Sequence, residues 1–389
     1  MLRIVLLFSI LLSAAERISA AEPDRGGVKV GAERTDEYLP ALRDRRVAVL
    51  ANHTATVGDR HLVDMLCDEG IDVAGIFSPE HGFRGGADAG EHVGSSVDEK
   101  TGIPIWSLYD GGSGRPSAAT MNKFDVLVVD MQDVGLRFYT YYITMLRMMD
   151  ACADHGRGVV VLDRPNPNGM YVDGPILDMK YKSGVGALPI PVVHGLTMGE
   201  IALMSRGEGW CGDCELQVVA CVGYTHSTRY VLPVAPSPNL PTQHAVYLYP
   251  STCLFEGTVC SLGRGTDRPF ECYGHPDYKG GDFAFTPRPM AGAKNPPLKD
   301  RKCFGRDLRG VSDERIIERG FDLEYVIDAY RNLGTGDKFF TPMFEKLVGV
   351  DYVRRMIIEG RSADEIRAVW QPELEKYRVL RRRYLLYEE

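Results

Sequence analysis

A carboxylic acid follows an apolar run in the first quarter of the chain, where it could act as a proton donor. Glu80 stands in a turn beside His81, directly after the apolar run that ends at Phe77. Partial desolvation at the end of an apolar strand favours the protonated form of a carboxyl group, which a general acid requires. His81 could orient or tune this acid. The alternative is a carboxylate that stabilises a turn beside a loop histidine, and the spacing alone does not choose between the two.

A second group of polar and aromatic residues spans positions 133–142, with Asp133, Arg137 and Tyr139 among them. Aromatic faces and a planar cationic donor suit a sugar ring that carries a carboxylate substituent. Asp133 offers a second carboxyl group for acid–base chemistry beside Glu80. The alternative is helix packing in which Arg137 pairs with Asp133 four residues earlier.

Further candidates for ligand binding follow predicted strands or lie in a glycine-rich cluster of the second half. They are Asn52, Arg84, Asp163, Arg164, Asn166, Glu256 and Arg264. The carboxyl ends of parallel strands meet at one edge of a sheet, and ligands bind outside that edge. We therefore predict a cleft at this edge, with the cluster around Glu256 and Arg264 closing it from the far side.

The elements that position these residues are predicted by β-branched runs that alternate with helical patterns. The strand-like runs cover residues 47–50, 73–77, 103–108, 126–129 and 159–162. Continuous apolar character suits strands covered on both faces, and the alternation with helices implies βαβ crossovers. This predicts an α/β fold with a Rossmann-like parallel sheet domain. No GxGxxG motif follows the first strand, which disfavours a dinucleotide, and we predict no cofactor.

The second half reads differently, since proline and glycine are dense between residues 170 and 310 and helical patterns return after Ser312. A capping box formed by Thr197 and Glu200 predicts one earlier helix. The smaller C-terminal domain is therefore predicted to be α+β. We predict a Rossmann-like catalytic domain over residues 21–169, with an alternative end near residue 225, and an α+β domain over 170–389 that closes the cleft.

Charge and motif content argue against several functional classes. The 45 basic and 53 acidic residues give a net charge of −8, and no long basic block is present, which disfavours a nucleic-acid partner. No HExxH spacing and no second CxxC motif occur, so we predict no metal site. A serine nucleophile would favour a GxSxG elbow, which the chain lacks.

The N-terminus predicts export. Arg3, the apolar run at 4–12 and small residues at 19–21 are typical of a secretory signal peptide over residues 1–20. No later stretch reaches 18 apolar residues, so we expect no membrane insertion after cleavage and a periplasmic or secreted protein. The pair Cys211 and Cys214 is expected to form a local disulfide or remain free, because a redox CxxC should open a helix after a strand.

Several long strings, in order from about residue 30 to the C-terminus, give the chain a specific resemblance. They are Ser78-Pro79-Glu80-His81-Gly82, Asp133-Val134-Gly135, Arg137-Phe138-Tyr139-Thr140, Leu162-Asp163-Arg164-Pro165-Asn166-Pro167-Asn168-Gly169, Pro236-Ser237-Pro238-Asn239-Leu240-Pro241 and Gly263-Arg264-Gly265-Thr266. In these strings the chain resembles the exo-β-N-acetylmuramidase family. The resemblance implies a Rossmann-like domain, a smaller C-terminal domain and a cleft between them. It also implies release of terminal N-acetylmuramic acid from peptidoglycan fragments, with Glu80 as the catalytic acid.

The resemblance leaves the partners of this acid open. Glycoside hydrolysis needs a second group, supplied by Asp133, Asp163 or Glu256, or by the 2-acetamido group of the substrate. The lactyl carboxylate of muramic acid needs a cation, and the candidates are Arg137, Arg164 and Arg264. Two other functions compete. A non-catalytic periplasmic muropeptide-binding protein would tolerate loss of Glu80, whereas a cell-wall amidase or esterase would need a metal or a nucleophile.

Overall fold

Residues 27–79, 83, 96–108 and 115–389 are described in the computed structural model of the chain. The predicted signal peptide, Glu80, His81 and Arg84 lie outside the described residues.

A seven-stranded sheet lies at the centre of the N-terminal half. Its strands, together with a two-stranded hairpin inserted after the first, are β1 (Val47–Ala51), β2 (Thr56–Val57), β3 (Arg60–His61), β4 (Val73–Phe77), β5 (Ser96–Val97), β6 (Pro104–Trp106), β7 (Val126–Asp130), β8 (Gly158–Leu162) and β9 (Leu216–Val219). Side chains alternate between the two faces of a strand, and those of β1 enter two different apolar clusters. Both faces are therefore covered, which explains why the apolar runs are continuous.

The strand order makes this sheet a Rossmann-like one. Its order is β5-β6-β4-β1-β7-β8-β9, with parallel pairing throughout except for the antiparallel edge strand β5. The chain builds outward from β1 through β4 to β6 and then crosses to β7 on the other side. The strand order thus reverses between β1 and β7, and ligands bind in the crevice outside the carboxyl ends at such a switch point.

Helices alternate with these strands and fill most of the C-terminal third. They are α1 (Thr35–Leu42), α2 (Leu62–Asp68), α3 (Ala118–Met121), α4 (Tyr141–His155), α5 (Met198–Gly207), α6 (Gln243–Thr252), α7 (Asp313–Arg319), α8 (Glu324–Leu333), α9 (Met343–Val348), α10 (Tyr352–Ile358) and α11 (Ala363–Arg381). The predicted capping box of Thr197 and Glu200 is confirmed at the start of α5, and Ser362 caps α11. Within the described ranges, no helix combines the length and the hydropathy that crossing a bilayer requires.

The C-terminal part adds a small antiparallel sheet to these helices. Its strands are β10 (Cys272–His275), β11 (Phe283–Phe285) and β12 (Cys303–Asp307), in the order β10-β12-β11. This confirms the predicted fold class, a Rossmann-like parallel sheet followed by a smaller α+β part. All nine cysteines are free thiols, so Cys211 and Cys214 follow the free-thiol alternative.

The last residues of the chain fold back onto the N-terminal half. The Tyr387 hydroxyl donates to Asp163 Oδ2 at 2.7 Å, just after β8. Trp370, in the middle of α11, donates its indole N–H to Asp173 Oδ1 at 3.1 Å. Near the end of that helix, buried Arg381 donates to the Gly195 carbonyl at 2.8 and 3.0 Å. These bonds connect the C-terminal helix to the loops that follow β8.

Candidate active site

Polar atoms without partners mark the switch point at the end of β1. Asn52 is fully buried, and its Oδ1 accepts bonds from the backbone N–H and the hydroxyl of Thr54 at 3.0 and 2.6 Å. Among the residues that the structure describes, its Nδ2 has no hydrogen-bond partner, and neither does Nδ1 of the adjacent His53. Buried polar groups are nearly always paired, so unpaired atoms on two consecutive residues at a strand end indicate a place where a ligand could bind.

The neighbouring strand, β7, leads to a buried carboxyl group with one unused oxygen. Asp133 Oδ1 accepts from the Gly135 N–H at 2.7 Å, whereas the buried Oδ2 has no partner within the described part of the chain. Burial raises the pKa of Asp133 to about 7, although the N–H groups of Gly135 and Val134 act in the opposite direction. The carboxyl group is therefore held in one orientation and can exchange a proton near neutral pH, as acid–base catalysis requires.

The strand on the other side of β1 leads toward Glu80. Ser78 is buried directly after β4, which pairs with β1 in parallel. Ser78 and Pro79 therefore follow the same edge of the sheet as Asn52 and Asp133. The predicted catalytic pair Glu80 and His81 comes next in the sequence and lies outside the described residues.

A cavity of about 440 Å³ opens beside this edge. Its described lining combines aromatic, hydroxyl and charged side chains: Phe138, Tyr139, Thr140, Tyr141, Ile143, Thr144, Arg147, Gly184, Val185, Ser237, Asn239, Leu240, Tyr249, Glu256, Arg264 and Phe270. A volume of this size suits a small organic ligand, and an aromatic lining with a few polar groups is typical of such sites. Three predicted residues, Tyr139, Glu256 and Arg264, meet here although more than a hundred positions separate the first from the others.

The loop at 235–240 connects the cavity with the switch point. The carbonyl of Ala235 lies 2.8 Å from Nε2 of His53, and the next carbonyl, of Pro236, accepts the Tyr139 hydroxyl at 2.8 Å. Asp133 also lies close enough to contribute to the raised pKa of Tyr139, after burial and Tyr141. Contacts through this loop and through Tyr139 thus link the strand ends to the wall of the cavity.

Two arginines in the cavity wall differ in their surroundings. Arg264 donates from Nε and Nη2 to Oε1 of Glu256 at 2.8 and 2.5 Å, and its guanidinium lies 5.0 Å from the ring centroid of Phe270. Arg147, in the second turn of α4, is exposed and forms no ion pair within the described part of the chain. One arginine is therefore neutralised inside the protein, whereas the other keeps its charge available.

Arg137, predicted to bind a substrate carboxylate, lies in the protein interior and does not line the cavity. It is fully buried, and Nη1 donates to the carbonyls of Pro175 and Ile190, both at 2.8 Å. Nη2 donates to the carbonyls of Leu347 and Val348 at 2.9 and 2.8 Å. This assignment is corrected, because both terminal nitrogens are occupied by backbone carbonyls and no ligand can approach them.

Arg164 and Asp163 also hold the protein together instead of facing the cavity. Arg164 forms a buried two-point ion pair with Asp130, the last residue of β7, at 2.5 and 2.8 Å. Asp163 is fully buried and accepts bonds from Thr197, Gly199 and Tyr387 at 2.7 to 2.8 Å. Both residues follow β8 as predicted, but their polar atoms are already satisfied within the fold, so neither serves as a ligand contact.

Asn166 likewise supports the backbone. It is buried, its Nδ2 donates to the Leu196 carbonyl at 2.9 Å, and its Oδ1 accepts the Asn168 N–H at 2.8 Å. A Cβ atom on Gly135 would lie 2.1 Å from that Oδ1, and Gly135 has φ +80°. Only glycine fits at this position of the turn. The predicted ligand-binding role of Asn166 is corrected, because its amide group is hydrogen-bonded to the backbone within the fold.

Arg147 and Tyr249 are cavity residues that the sequence analysis did not single out. Both lie inside helices, and neither belongs to a glycine- or proline-rich string. The helical spacing places Arg147 on the same face as Ile143 and Thr144, but it does not reveal that this face borders a cavity. Tertiary packing alone supplies that information.

Comparisons with known proteins identify the family of the chain. Two family models match the chain, those of the N-terminal and C-terminal parts of the exo-beta-N-acetylmuramidase NamZ, over residues 47–244 and 247–387. The peptidoglycan beta-N-acetylmuramidase NamZ of Bacillus subtilis is 36% identical over 371 residues, which cover 90% of this chain and 89% of the relative.

Solved structures show the same fold. A DUF1343 family protein of Bacteroides fragilis has a TM-score of 0.88 and 56% identity, and a second protein of that family and organism has a TM-score of 0.79 and 26% identity. Each match covers 93% of this chain and 99% of the other. With both halves matched by family models and most of its length aligned to a curated relative, the chain belongs to the NamZ family of exo-β-N-acetylmuramidases.

Proposed function

We propose that this chain is an exo-acting glycoside hydrolase that releases terminal β-linked N-acetylmuramic acid from peptidoglycan fragments. The observation that carries the proposal is a cavity lined by aromatic side chains and arginines, whose wall residue Tyr139 lies near the buried Asp133. Among the described residues, Oδ2 of Asp133 has no hydrogen-bond partner. Membership of the NamZ family and the relative in Bacillus subtilis supply the reaction and the substrate class.

Glu80 is the proposed general acid. It donates a proton to the glycosidic oxygen as the bond from that oxygen to the anomeric carbon breaks, and water supplies the new hydroxyl group. Support comes from the described neighbours Ser78 and Pro79, which follow β4 at the same edge of the sheet as Asn52 and Asp133.

Asp133 is the proposed second carboxyl group. Its free oxygen can stabilise positive charge at the anomeric carbon or orient the group that attacks that carbon. The Gly135 N–H fixes the other oxygen, so the carboxyl group needs no reorganisation during the reaction. Asp163 and Glu256 are less suited to this role, because Asp163 accepts three bonds within the fold and Glu256 is paired with Arg264.

The cavity is the proposed binding place of the terminal sugar. Tyr139 and Tyr249 present apolar ring surface in the cavity wall, on which the C–H face of a sugar can pack. The pair formed by Glu256 and Arg264 offers acceptors and donors to sugar hydroxyl groups.

The proposal also includes the location of the protein in the cell. Residues 1–20 are proposed to be a cleaved signal peptide, and the mature protein to be periplasmic or secreted, where peptidoglycan fragments are released. N-terminal sequencing of protein recovered outside the cytoplasm tests this, and an N-terminus that begins at Met1 would contradict it.

The decisive measurement is hydrolysis of a chromogenic N-acetylmuramic acid β-glycoside, with the N-acetylglucosamine analogue beside it. We expect wild type to cleave the muramic substrate, and Glu80→Gln and Asp133→Asn each to lower kcat by at least about a hundredfold. Glu359→Gln, an exposed site outside the cavity, is the matched control and should retain full activity.

Each other outcome has a distinct meaning. If Glu80→Gln is fully active, the proposed reaction stands but its general acid is a residue other than Glu80. Folded wild type that binds muropeptides in calorimetry without cleaving either glycoside would overturn the proposed hydrolase in favour of a binding protein.

A further inference from the structure

The described cavity wall carries one positive charge that the protein does not neutralise. Its charged members are Arg147, Arg264 and Glu256. Glu256 contacts Arg264 at 2.5 and 2.8 Å, so these two charges compensate each other. Arg147 has no acidic partner among the described residues, and the wall therefore has an excess charge of about +1.

The position of Arg147 suits a ligand group at the cavity mouth. It lies one helical turn beyond Ile143 and Thr144, which line the same cavity, and its side chain is exposed. Helix α4 is anchored by buried residues on its other side, such as Met145 and Met148, so the guanidinium is presented from a rigid element.

The proposed substrate has a single group that matches this charge. N-acetylmuramic acid differs from N-acetylglucosamine by a lactyl ether, which ends in a carboxylate. A guanidinium binds a carboxylate through two parallel hydrogen bonds, and an uncharged sugar offers no such partner.

We propose that Arg147 binds the lactyl carboxylate of the terminal muramic acid and so sets the preference for muramic acid over glucosamine. The inference rests on the proposed function. Arg264 is a poor alternative, because a carboxylate that approaches it meets the negative charge of Glu256. Arg137 and Arg164 are excluded by their burial and internal partners.

The test compares the muramic acid β-glycoside with its lactyl methyl ester, in which the carboxylate charge is removed and one methyl group is added. For Arg147→Ala we expect kcat/KM on the free acid to fall about tenfold or more, mainly through KM, and kcat/KM on the ester to change less than twofold. Arg147→Lys should recover part of the loss, since it keeps the charge without the two-point geometry. Added salt should lower the wild-type preference for the acid and leave Arg147→Ala unaffected.

Arg331→Ala is the matched control, because Arg331 is also exposed on a helix and lies outside the cavity. It should leave both substrates unchanged. If Arg147→Ala lowers kcat/KM equally on the acid and the ester, or on neither, the role of Arg147 is overturned. The proposed function still holds in that case, provided that wild type cleaves the muramic substrate.

Failure of the proposed function has a separate signature. If wild type cleaves neither substrate, calorimetry with free N-acetylmuramic acid and N-acetylglucosamine still tests the carboxylate contact. If Arg147→Ala binds N-acetylmuramic acid more weakly than wild type does but binds N-acetylglucosamine equally well, the carboxylate contact is supported. If the variant binds both sugars as wild type does, the contact is overturned.

Discussion

Asp133 is an ionisable residue whose environment makes the stability of the fold depend on pH. Its pKa is raised from 3.8 to about 7, mainly by burial. Below pH about 4 the carboxyl group is protonated in both the folded and unfolded states and has no effect. As the pH rises toward 7 the unfolded state releases the proton first, so this group lowers the free energy of unfolding progressively.

Replacement by asparagine removes this dependence. Asp133→Asn can keep the bond from the Gly135 N–H but cannot ionise. The free energy of unfolding of the variant minus that of wild type should increase by about 2–3 kcal/mol as the pH is raised from 5 to 8. Urea unfolding at the two pH values measures it. Asp125→Asn is the control: Arg46 lowers the pKa of Asp125 to about 2, so this carboxylate is ionised in both states between pH 5 and pH 8. The difference in free energy of unfolding between this variant and wild type should therefore be the same at the two pH values. An equal difference at both pH values for Asp133→Asn would contradict the buried, proton-binding state of Asp133.

At the residue scale, the sequence reveals which polar side chains follow strands but not what they contact. Asp133 and Asp163 both come directly after or near apolar strands and are equivalent as sequence signals. Asp163 accepts a bond from Tyr387, 224 positions away, whereas Asp133 Oδ2 has no partner among the residues described. Such long-range partners decide whether a polar residue is structural or available, and local sequence carries no trace of them.

At the scale of elements, the sequence is far more informative. The predicted runs at 73–77, 126–129 and 159–162 match β4, β7 and β8 to within one residue, because burial on both faces requires continuous apolar residues. The helical pattern of the last segment continues from Ala363 to Tyr387 in the sequence, whereas α11 ends at Arg381 and the tail turns back to the sheet. That return depends on tertiary contacts.

The start of α5 shows how one side chain can serve two elements. The Thr197 hydroxyl accepts the Glu200 N–H at 3.3 Å and donates to Asp163 Oδ2 at 2.7 Å. Thr197→Ala loses both bonds, and we expect a loss of about 2 kcal/mol in the free energy of unfolding. Thr197→Ser keeps the hydroxyl group and should lose less than half as much. Thermal unfolding of both variants checks this, and equal destabilisation by alanine and serine would rule out the capping role.

At the scale of the whole molecule, Arg137 joins distant parts of the chain. Its four carbonyl partners belong to segments near residues 175, 190 and 348. Arg137→Ala would leave these buried carbonyls without donors and create a cavity, so we expect a loss of about 3–5 kcal/mol in the free energy of unfolding. Denaturant unfolding measures it, with Arg331→Ala as the surface control. A stable, folded Arg137→Ala with an altered preference for muramic acid would restore the ligand-binding role that its burial argues against.

The hairpin after β1 changes the electrostatics of the crevice. In nucleotide-binding sheets of this strand order, a helix begins immediately after the first strand, and its free N–H groups attract a phosphate. Here β2 and β3 intervene, α2 begins only at Leu62, and Nδ1 of His61 accepts the Val63 N–H at 3.2 Å. The first turn of this helix is thus displaced from the crevice and partly capped by the protein itself. The crevice consequently owes its polarity to side chains, and a change of ligand can occur by substitution of single residues without any rebuilding of the backbone.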